Sequence, residues 1–435
     1  MTCLCRLKRA VQLFCLEKYP MNSPHRVVST CLALLFLSAS PAAFTQQAMP
    51  AETTVTVQDV FESALSIDPE VQSALKRIEA FKARRSAASA LTAQPLSLEG
   101  SYRSDRNYNN QGLREIELGV SAPIWNWNER ARTQSLRDTE IELVQLQLEQ
   151  KKLELAGLVR QTLWNTLAAN LDAEIAQARL ESAQELMVDV EKRVKAGDLA
   201  QTDFYQASAL YEQTRAEFAR TQSALSDVSA DYAATIGLPV SVLSQIQTES
   251  TDIPNGLKPL DHPAIKLAQL QVLAQQQQID LVQTQARANP EVGLAIISDR
   301  GAFTSASEKS LVVSTRIPLG NSSEYQSRVL QAESESIAAE AALTKTQRQI
   351  VALGRAAESK LDLFAQIKAS AQAQARLATK TFELYKNSFD LGETDLPTLL
   401  IAEQKAFEAE KLARKSAIEY AAKVSAYKQA LGLLP

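Results

Sequence analysis

Carboxylates gather beside two glycines that interrupt the chain's longest proline-poor stretches. Asp198 and Asp203 follow Gly197, and Asp390, Glu393 and Asp395 surround Gly392. Carboxylates ringed around a narrow opening attract cations and repel anions. The same residues also suit a local role, because Asp203 and Asp395 are good helix N-caps and a glycine before them supplies the freedom of a tight turn. For Asp198, Asp390 and Glu393 both roles stay open. Little else in the sequence could do chemistry. Behind residue 43 the single histidine is His262, which precedes Pro263 and reads as a turn residue rather than a base. No glycine-rich phosphate loop, zinc-type spacing or nucleophile elbow occurs. Met49 and Met187 are the only methionines behind residue 43, and no cysteine lies there, so a chelating metal path is absent. These features predict no enzyme, no cofactor and no metal site.

Composition fixes the compartment. Arg26, the apolar run from Val27 to Leu37, and the small residues Ser38, Ala39, Ser40, Ala42 and Ala43 read as a signal peptide over residues 1–43, with Met21 as an alternative start. All four cysteines, Cys3, Cys5, Cys15 and Cys31, fall inside that segment, so the mature chain reaches an oxidising compartment without thiols. The leader holds Arg6, Lys8, Arg9, Lys18 and Arg26 against Glu17, a net of +4; with −4 for the whole chain, the remainder carries −8. Nucleic acid is not a partner that such a charge selects. No later stretch approaches 18 apolar residues, so a membrane crossing would have to use strands.

The elements that position these residues come in two copies. Pro95 and Pro290, Pro123 and Pro318, Gly197 and Gly392, and Gly237 and Gly432 are each 195 residues apart, and Pro69 and Pro263 are 194 apart. A fixed offset of that kind is the mark of a tandem repeat. The first repeat is expected at 52–239 and the second at 261–434, joined by a linker at 240–260.

Within each copy two short strands precede two long helices. Leu96, Leu98, Gly100 and Tyr102 alternate with Ser97, Glu99, Ser101 and Arg103. Ile116, Leu118, Val120 and Ala122 alternate with Glu115, Glu117, Gly119 and Ser121. Period two predicts strands at about 96–104 and 114–123, and their counterparts at about 291–298 and 310–318. The helices are expected at about 128–194, 200–236, 323–389 and 396–431, the first roughly 100 Å long at 1.5 Å per residue. Their apolar period is seven: Tyr211, Phe218, Leu225 and Tyr232 in one copy, Leu399, Ala406, Ala413, Tyr420 and Tyr427 in the other.

Membrane strands must close into a barrel, and the smallest such barrels have about eight strands. Four strands therefore either lie outside a membrane or share a barrel with other copies. Trp125 and Trp127 follow the second strand, where an aromatic belt would sit; the local alternative is packing of the strand-to-helix joint.

The leader, the tandem unit, the hairpin before each long helix and the turn pattern together resemble the TolC family of outer-membrane efflux proteins. The turn is the most specific part. Gly197 is followed by Asp203 and Ala207, and Gly392 by Thr398 and Ala402, so glycine and alanine keep a spacing of ten in both copies. Thr398 stands where the family often has Asp, with Asp395 and Pro397 just before it, which leaves the second cap open. The resemblance covers roughly residues 55–434. It implies a mainly α fold with a small β part, in which long coiled-coil helices build a periplasmic α-barrel and four strands per chain join a trimeric barrel of about twelve. It further implies a homotrimer in outer-membrane lipid, with Gly197, Asp198, Asp203, Asp390, Gly392, Glu393 and Asp395 at the periplasmic tip that docks an adaptor protein and an inner-membrane pump of the RND type. The compact length and the Val194-Lys195-Ala196-Gly197-Asp198 turn are similar to the cobalt, zinc and cadmium (CzcC-type) heavy-metal branch. Drug, solvent or type I secretion channels are alternatives. So is a periplasmic coiled-coil scaffold without a pore, which leaves the recurring hairpins unexplained.

Overall fold

In each repeat the helix ahead of the hairpin starts from an acceptor side chain followed by proline. Asp68 caps helix α2, its Oδ1 accepting from the backbone N–H of Glu70 at 2.7 Å and of Val71 at 3.0 Å, and Pro69 starts the helix. At the equivalent place His262 caps helix α5, its Nδ1 accepting from Ala264 N–H at 3.1 Å, with Pro263 next. Proline at the first helical position gives up a donor that has no intrahelical partner anyway. Burial holds the His262 imidazole below its ordinary pKa, which keeps it neutral and able to accept.

The structure is a computed structural model in which residues 55–239, 241, 246–247, 249–250, 261–320 and 324–435 are described. The expected signal peptide at 1–43 and most of the 240–260 linker lie outside the described residues. The first repeat runs β1 (Val55–Thr56), α1 (Val57–Ile67), α2 (Pro69–Ala87), β2 (Ser97–Ser104), β3 (Arg114–Pro123), α3 (Glu129–Ala196) and α4 (Gln201–Ile236). After β4 (Ile246–Gln247) the second repeat runs α5 (Pro263–Thr284), β5 (Glu291–Arg300), β6 (Glu308–Arg316), α6 (Tyr325–Asp390) and α7 (Leu396–Ala430). The fold class is the expected one, mainly helical with one small sheet.

Helix α3 has 68 residues and α6 has 66, so each is about 100 Å long at 1.5 Å per residue. Nothing intrinsic keeps helices of that length straight in water; seams of buried side chains do. In α7, Leu399, Ala402, Ala406, Ala409, Ala413 and Ser416 are all buried, the a and d positions of successive heptads. Ala371 and Ala375 of α6 meet Ala409 and Ala413, and these small side chains let the two helices approach closely. The main core lies where α1 packs on α3 and α4: Val60, Phe61 and Ala64 against Val144, Leu155, Val159 and Leu163, with Tyr232 and Ile236.

The two halves bury their long helices unequally. Helix α3 touches α1, α2, α4, α5 and α7, whereas α6 packs mainly on α5 and α7. Leu330, Ile337, Leu353, Leu363, Leu377 and Leu384 of α6 are consequently exposed in the single chain.

The four longer strands form one antiparallel sheet in the order β2-β3-β5-β6. Each hairpin pairs with itself and the two join along β3 and β5. Strands β2 and β6 are left with one unpaired edge each.

Candidate functional site

Residues directly opposite one another in an antiparallel ladder share a face, so the register sorts every side chain of the sheet. One face carries the rows Leu98–Val120–Leu294–Val313 and Gly100–Leu118–Ile296–Leu311. Leu98, Leu118, Ile296, Leu311 and Val313 are each more than half exposed. On a sheet surrounded by water such a surface would be costly. The other face carries Glu99, Glu115, Glu117, Glu291, Asp299 and Glu308 against Arg103 and Arg316. Ser121 Oγ donates to Glu99 at 2.7 Å and Ser101 Oγ to Glu117 at 3.2 Å.

The polar face also holds Gly119, Gly293 and Ala295. Gly119 sits opposite Ala295, and a Cβ built at Gly119 would lie 2.8 Å from the Ala295 Cβ. A side chain larger than hydrogen at Gly119 would therefore collide with β5.

At the helix end of the sheet the two tryptophans separate. Trp125 is half-buried and donates its Nε1–H to the Ala90 carbonyl at 3.1 Å, so it packs the strand-to-helix joint. Trp127 is 89% exposed. Ile124, Ile317 and Leu319 are exposed at the same level, continuing the apolar face.

At the far end of the helices the structure brings both turns together. Val190 of α3, Ala207 of α4, Phe389 of α6, and Leu396 and Leu399 of α7 form one buried cluster. Gly197 closes α3 with φ 87°, and Asp198 N–H returns to the Arg193 carbonyl at 2.9 Å. Gly392 has φ 76°, and Glu393 N–H returns to Ser388 at 2.8 Å. Both glycines occupy the left-handed region that other residues enter only at a cost. Asp198, Glu393 and Asp395 are exposed.

The capping roles differ from those expected. Ala200, not Asp203, is the N-cap of α4; Asp203 is three residues further on, and its Oδ2 accepts from Ala200 N–H at 3.0 Å. This is the return half of a capping box without the forward half, since alanine has no acceptor. Asp395 does hold the N-cap position of α7 but makes no capping hydrogen bond, so its charge is uncommitted within the helix.

Asp390 is ion-paired within the protomer. Its Oδ1 lies 3.2 Å from Arg193 Nη2, while Arg193 Nε reaches Asp189 at 2.9 Å and the guanidinium covers the Phe389 ring at 5.1 Å. Arg193 carried no sequence signal, since a basic residue in the last turn of a helix is common.

Further along the helices, Arg179 of α3 stands between Glu217 of α4 at 3.5 Å and Glu403 of α7 at 3.7 Å, over the Phe407 ring at 4.2 Å. Burial pushes the Glu403 carboxyl above its ordinary pKa, with Arg179 opposing the shift. Among the described residues no three His, Cys, Asp or Glu side chains come together as a metal site, and no helix is long and apolar enough to cross a membrane.

Residues 60–237 match the sequence profile of the family described as outer membrane efflux protein. No curated protein sequence matches the chain. Among solved structures, CusC, known from crystal structures addressing folding and transmembrane channel formation, aligns with TM-score 0.71 and 18% identity over 87% of this chain and 92% of that one. The outer membrane protein VceC of Vibrio cholerae aligns with TM-score 0.69 and 16% identity over 86% and 96%. The open-state MtrE outer membrane channel of Neisseria gonorrhoeae aligns with TM-score 0.70 and 17% identity over 87% and 89%. The chain has the fold of these channels, the TolC-like fold.

Proposed function

We propose that this chain, whose residues 60–237 match the outer membrane efflux protein family, is one protomer of a trimeric outer-membrane conduit for efflux across the periplasm. The observation that carries the reading is the sheet: one face apolar and exposed, the other acidic, with β2 and β6 each left with an open edge among the described residues. Open edges are not tolerated in lipid, and three copies joined edge to edge give about twelve strands and no edge at all. The exposed leucines of α6 are the helical counterpart, a stripe that a neighbouring protomer would cover.

The conduit is passive and non-enzymatic. Its polar face bears six carboxylates against two guanidiniums per protomer, which favours cations in a lumen. Heavy-metal cations are the cargo that the turn's resemblance to the cobalt, zinc and cadmium branch favours, and with no chelating cluster among the described residues such ions would pass without tight binding there. The turns at Gly197 and Gly392 form the periplasmic mouth, where Asp198, Glu393 and Asp395 face solvent for an adaptor protein beneath which an inner-membrane RND-type pump would sit. Trp127 marks the inner membrane interface.

Single-channel recording in planar bilayers tests this. Wild type is expected to form a cation-selective pore, and E99Q/E117Q/D299N/E308Q to lower the cation-to-anion permeability ratio several-fold while keeping the trimer. A detergent-stable trimer that never conducts, even with its turns loosened, would identify a scaffold instead.

A further inference from the structure

We propose that the outer rim of the sheet's apolar face binds the phosphate of an anionic lipid headgroup through Arg114, Arg300 and Lys309. The inference rests on the membrane reading of that face.

The register places Arg114 of β3 directly opposite Arg300 of β5, and Lys309 of β6 opposite Ser298 one rung further in. All three project from the apolar face, in line with Leu118, Ile296 and Leu311. Like charges directly opposite on neighbouring strands repel. Yet among the described residues no carboxylate lies within ion-pair distance of any of the three. The strand carboxylates of this end, Glu115, Asp299 and Glu308, are on the other face, where Arg103 pairs with Glu115 at 3.7 Å, and Asp105 of the first hairpin loop accepts from Gln111 and Gly112 N–H. The sheet therefore separates its charges at the hairpin-loop end: an acidic cluster on the polar face, of which Glu115 alone is ion-paired, and a basic one without carboxylate partners on the apolar face.

The basic groups are also held in place. The Arg300 guanidinium lies 5.6 Å from the Phe303 ring, and its Nε–H donates to the Gly112 carbonyl at 3.3 Å, which leaves the terminal nitrogens directed elsewhere. Arg114 lies 5.9 Å from the Tyr102 ring. Arg114 and Lys309 are exposed and Arg300 is half-buried.

Depth fits a headgroup. From Ile116 to Ile124 the apolar face extends about 27 Å along β3, or about 21 Å of membrane at the usual strand tilt, near the ~25 Å apolar band of such barrels. Arg114 is two residues beyond Ile116, about 7 Å further along the strand and on the side away from the helices. Guanidiniums on two residues paired across β3 and β5 can each donate to phosphate oxygens, and basic clusters at this level attract anionic lipids. A lipid rather than free phosphate is the ligand, because the apolar rows directly below would receive the acyl chains of the same molecule.

The test titrates the full-length oligomer in detergent with diphosphorylated lipid A, with the same lipid stripped of phosphate, and with inorganic phosphate, counting bound lipid by native mass spectrometry. Wild type is expected to retain the phosphorylated lipid and to ignore the stripped one. The variant R114Q/R300Q/K309Q should need about tenfold more lipid for equal occupancy, while R103Q, which removes a charge from the opposite face, should match wild type. Equal retention by the triple variant, an equal loss in R103Q, or displacement of the lipid by comparable concentrations of inorganic phosphate would each overturn the assignment. Insertion of wild type into phosphatidylcholine vesicles, resistant to alkaline wash, is measured in parallel. Failure there removes the membrane reading itself, whereas insertion without phosphate preference removes only this inference.

Discussion

Arg193 of α3 and Asp390 of α6 meet where the two longest helices end, with Nη2 3.2 Å from Oδ1. Both side chains sit beside the buried cluster of Val190, Phe389, Leu396 and Leu399, so the pair ties the two repeats together at the turns. Arg193 is also anchored by Asp189 on its own helix and by the Phe389 ring, which presets its direction toward Asp390.

Loss of this tie should loosen the mouth proposed at these turns without unfolding the helices. The pair is half-exposed, so its contribution to stability is small, about 0–1 kcal/mol. The expected outcome for D390N is an unchanged thermal midpoint and a single-channel conductance several-fold above wild type. R193Q should behave alike, and the double variant should add nothing further, because both single changes remove one interaction. A conductance unchanged in both single variants would mean that the pair does not restrain the mouth.

Glu403 gives the helices a pH dependence of definite sign. Its carboxyl pKa is raised in the folded chain because burial disfavours the charged form, and Arg179 at 3.7 Å offsets only part of this. A carboxyl with a raised folded pKa binds more protons folded than unfolded across the interval between the two pKa values, so its contribution to stability falls as pH rises through that interval and stays low above it. Glu403→Gln imitates the protonated state and leaves Glu217 to face Arg179. Melting followed by circular dichroism should therefore find E403Q and wild type alike below the ordinary glutamate range, with E403Q the more stable at neutral pH. A difference that is constant with pH, or of opposite sign, would show that Arg179 dominates over burial.

The fold class was legible because both kinds of period are carried by side chains close in sequence. Leu98, Gly100 and Tyr102 announce a strand by alternation, and Leu399, Ala406 and Ala413 announce a seam by sevens. The repeat offset likewise matched Asp68 with His262, two chemically different residues that turn out to serve one purpose as acceptors at a helix start. What sequence did not yield are the partners of long polar side chains. Arg193 and Asp390 are 197 positions apart, and only the packing of both turns into one cluster brings them together. Asp203 was misplaced by three positions because Ala200 is a poor cap by composition; the backbone starts the helix there, and the aspartate serves it from inside. The face on which Arg114 and Arg300 lie follows from alternation alone, but that they are neighbours depends on the pairing of β3 with β5, which joins the two repeats.

Arg160 of α3 is the clearest case of a partner hidden from sequence, and it supports a strong stability prediction. Its Nη2 lies 2.7 Å from Glu249 Oε1 and its Nε 3.2 Å from Oε2, while Nη1 donates to Gln429 Oε1 at 2.6 Å and to the Leu433 carbonyl at 3.0 Å. The two charged side chains are only 4% and 6% exposed, so one guanidinium joins the first repeat, the segment between the repeats and the end of the second. A buried pair is worth little against an apolar replacement of both partners, yet breaking it from one side strands a charge at a cost of about 3–5 kcal/mol. R160M should fall near that range in urea unfolding, because it leaves the Glu249 carboxylate without its counter-charge. E249Q should cost less, since Arg160 keeps Gln429 and Leu433. The double variant R160M/E249M should recover part of the R160M loss, which an additive pair of contacts would not do. Full additivity of the two changes would show that water, and not Arg160, compensates Glu249.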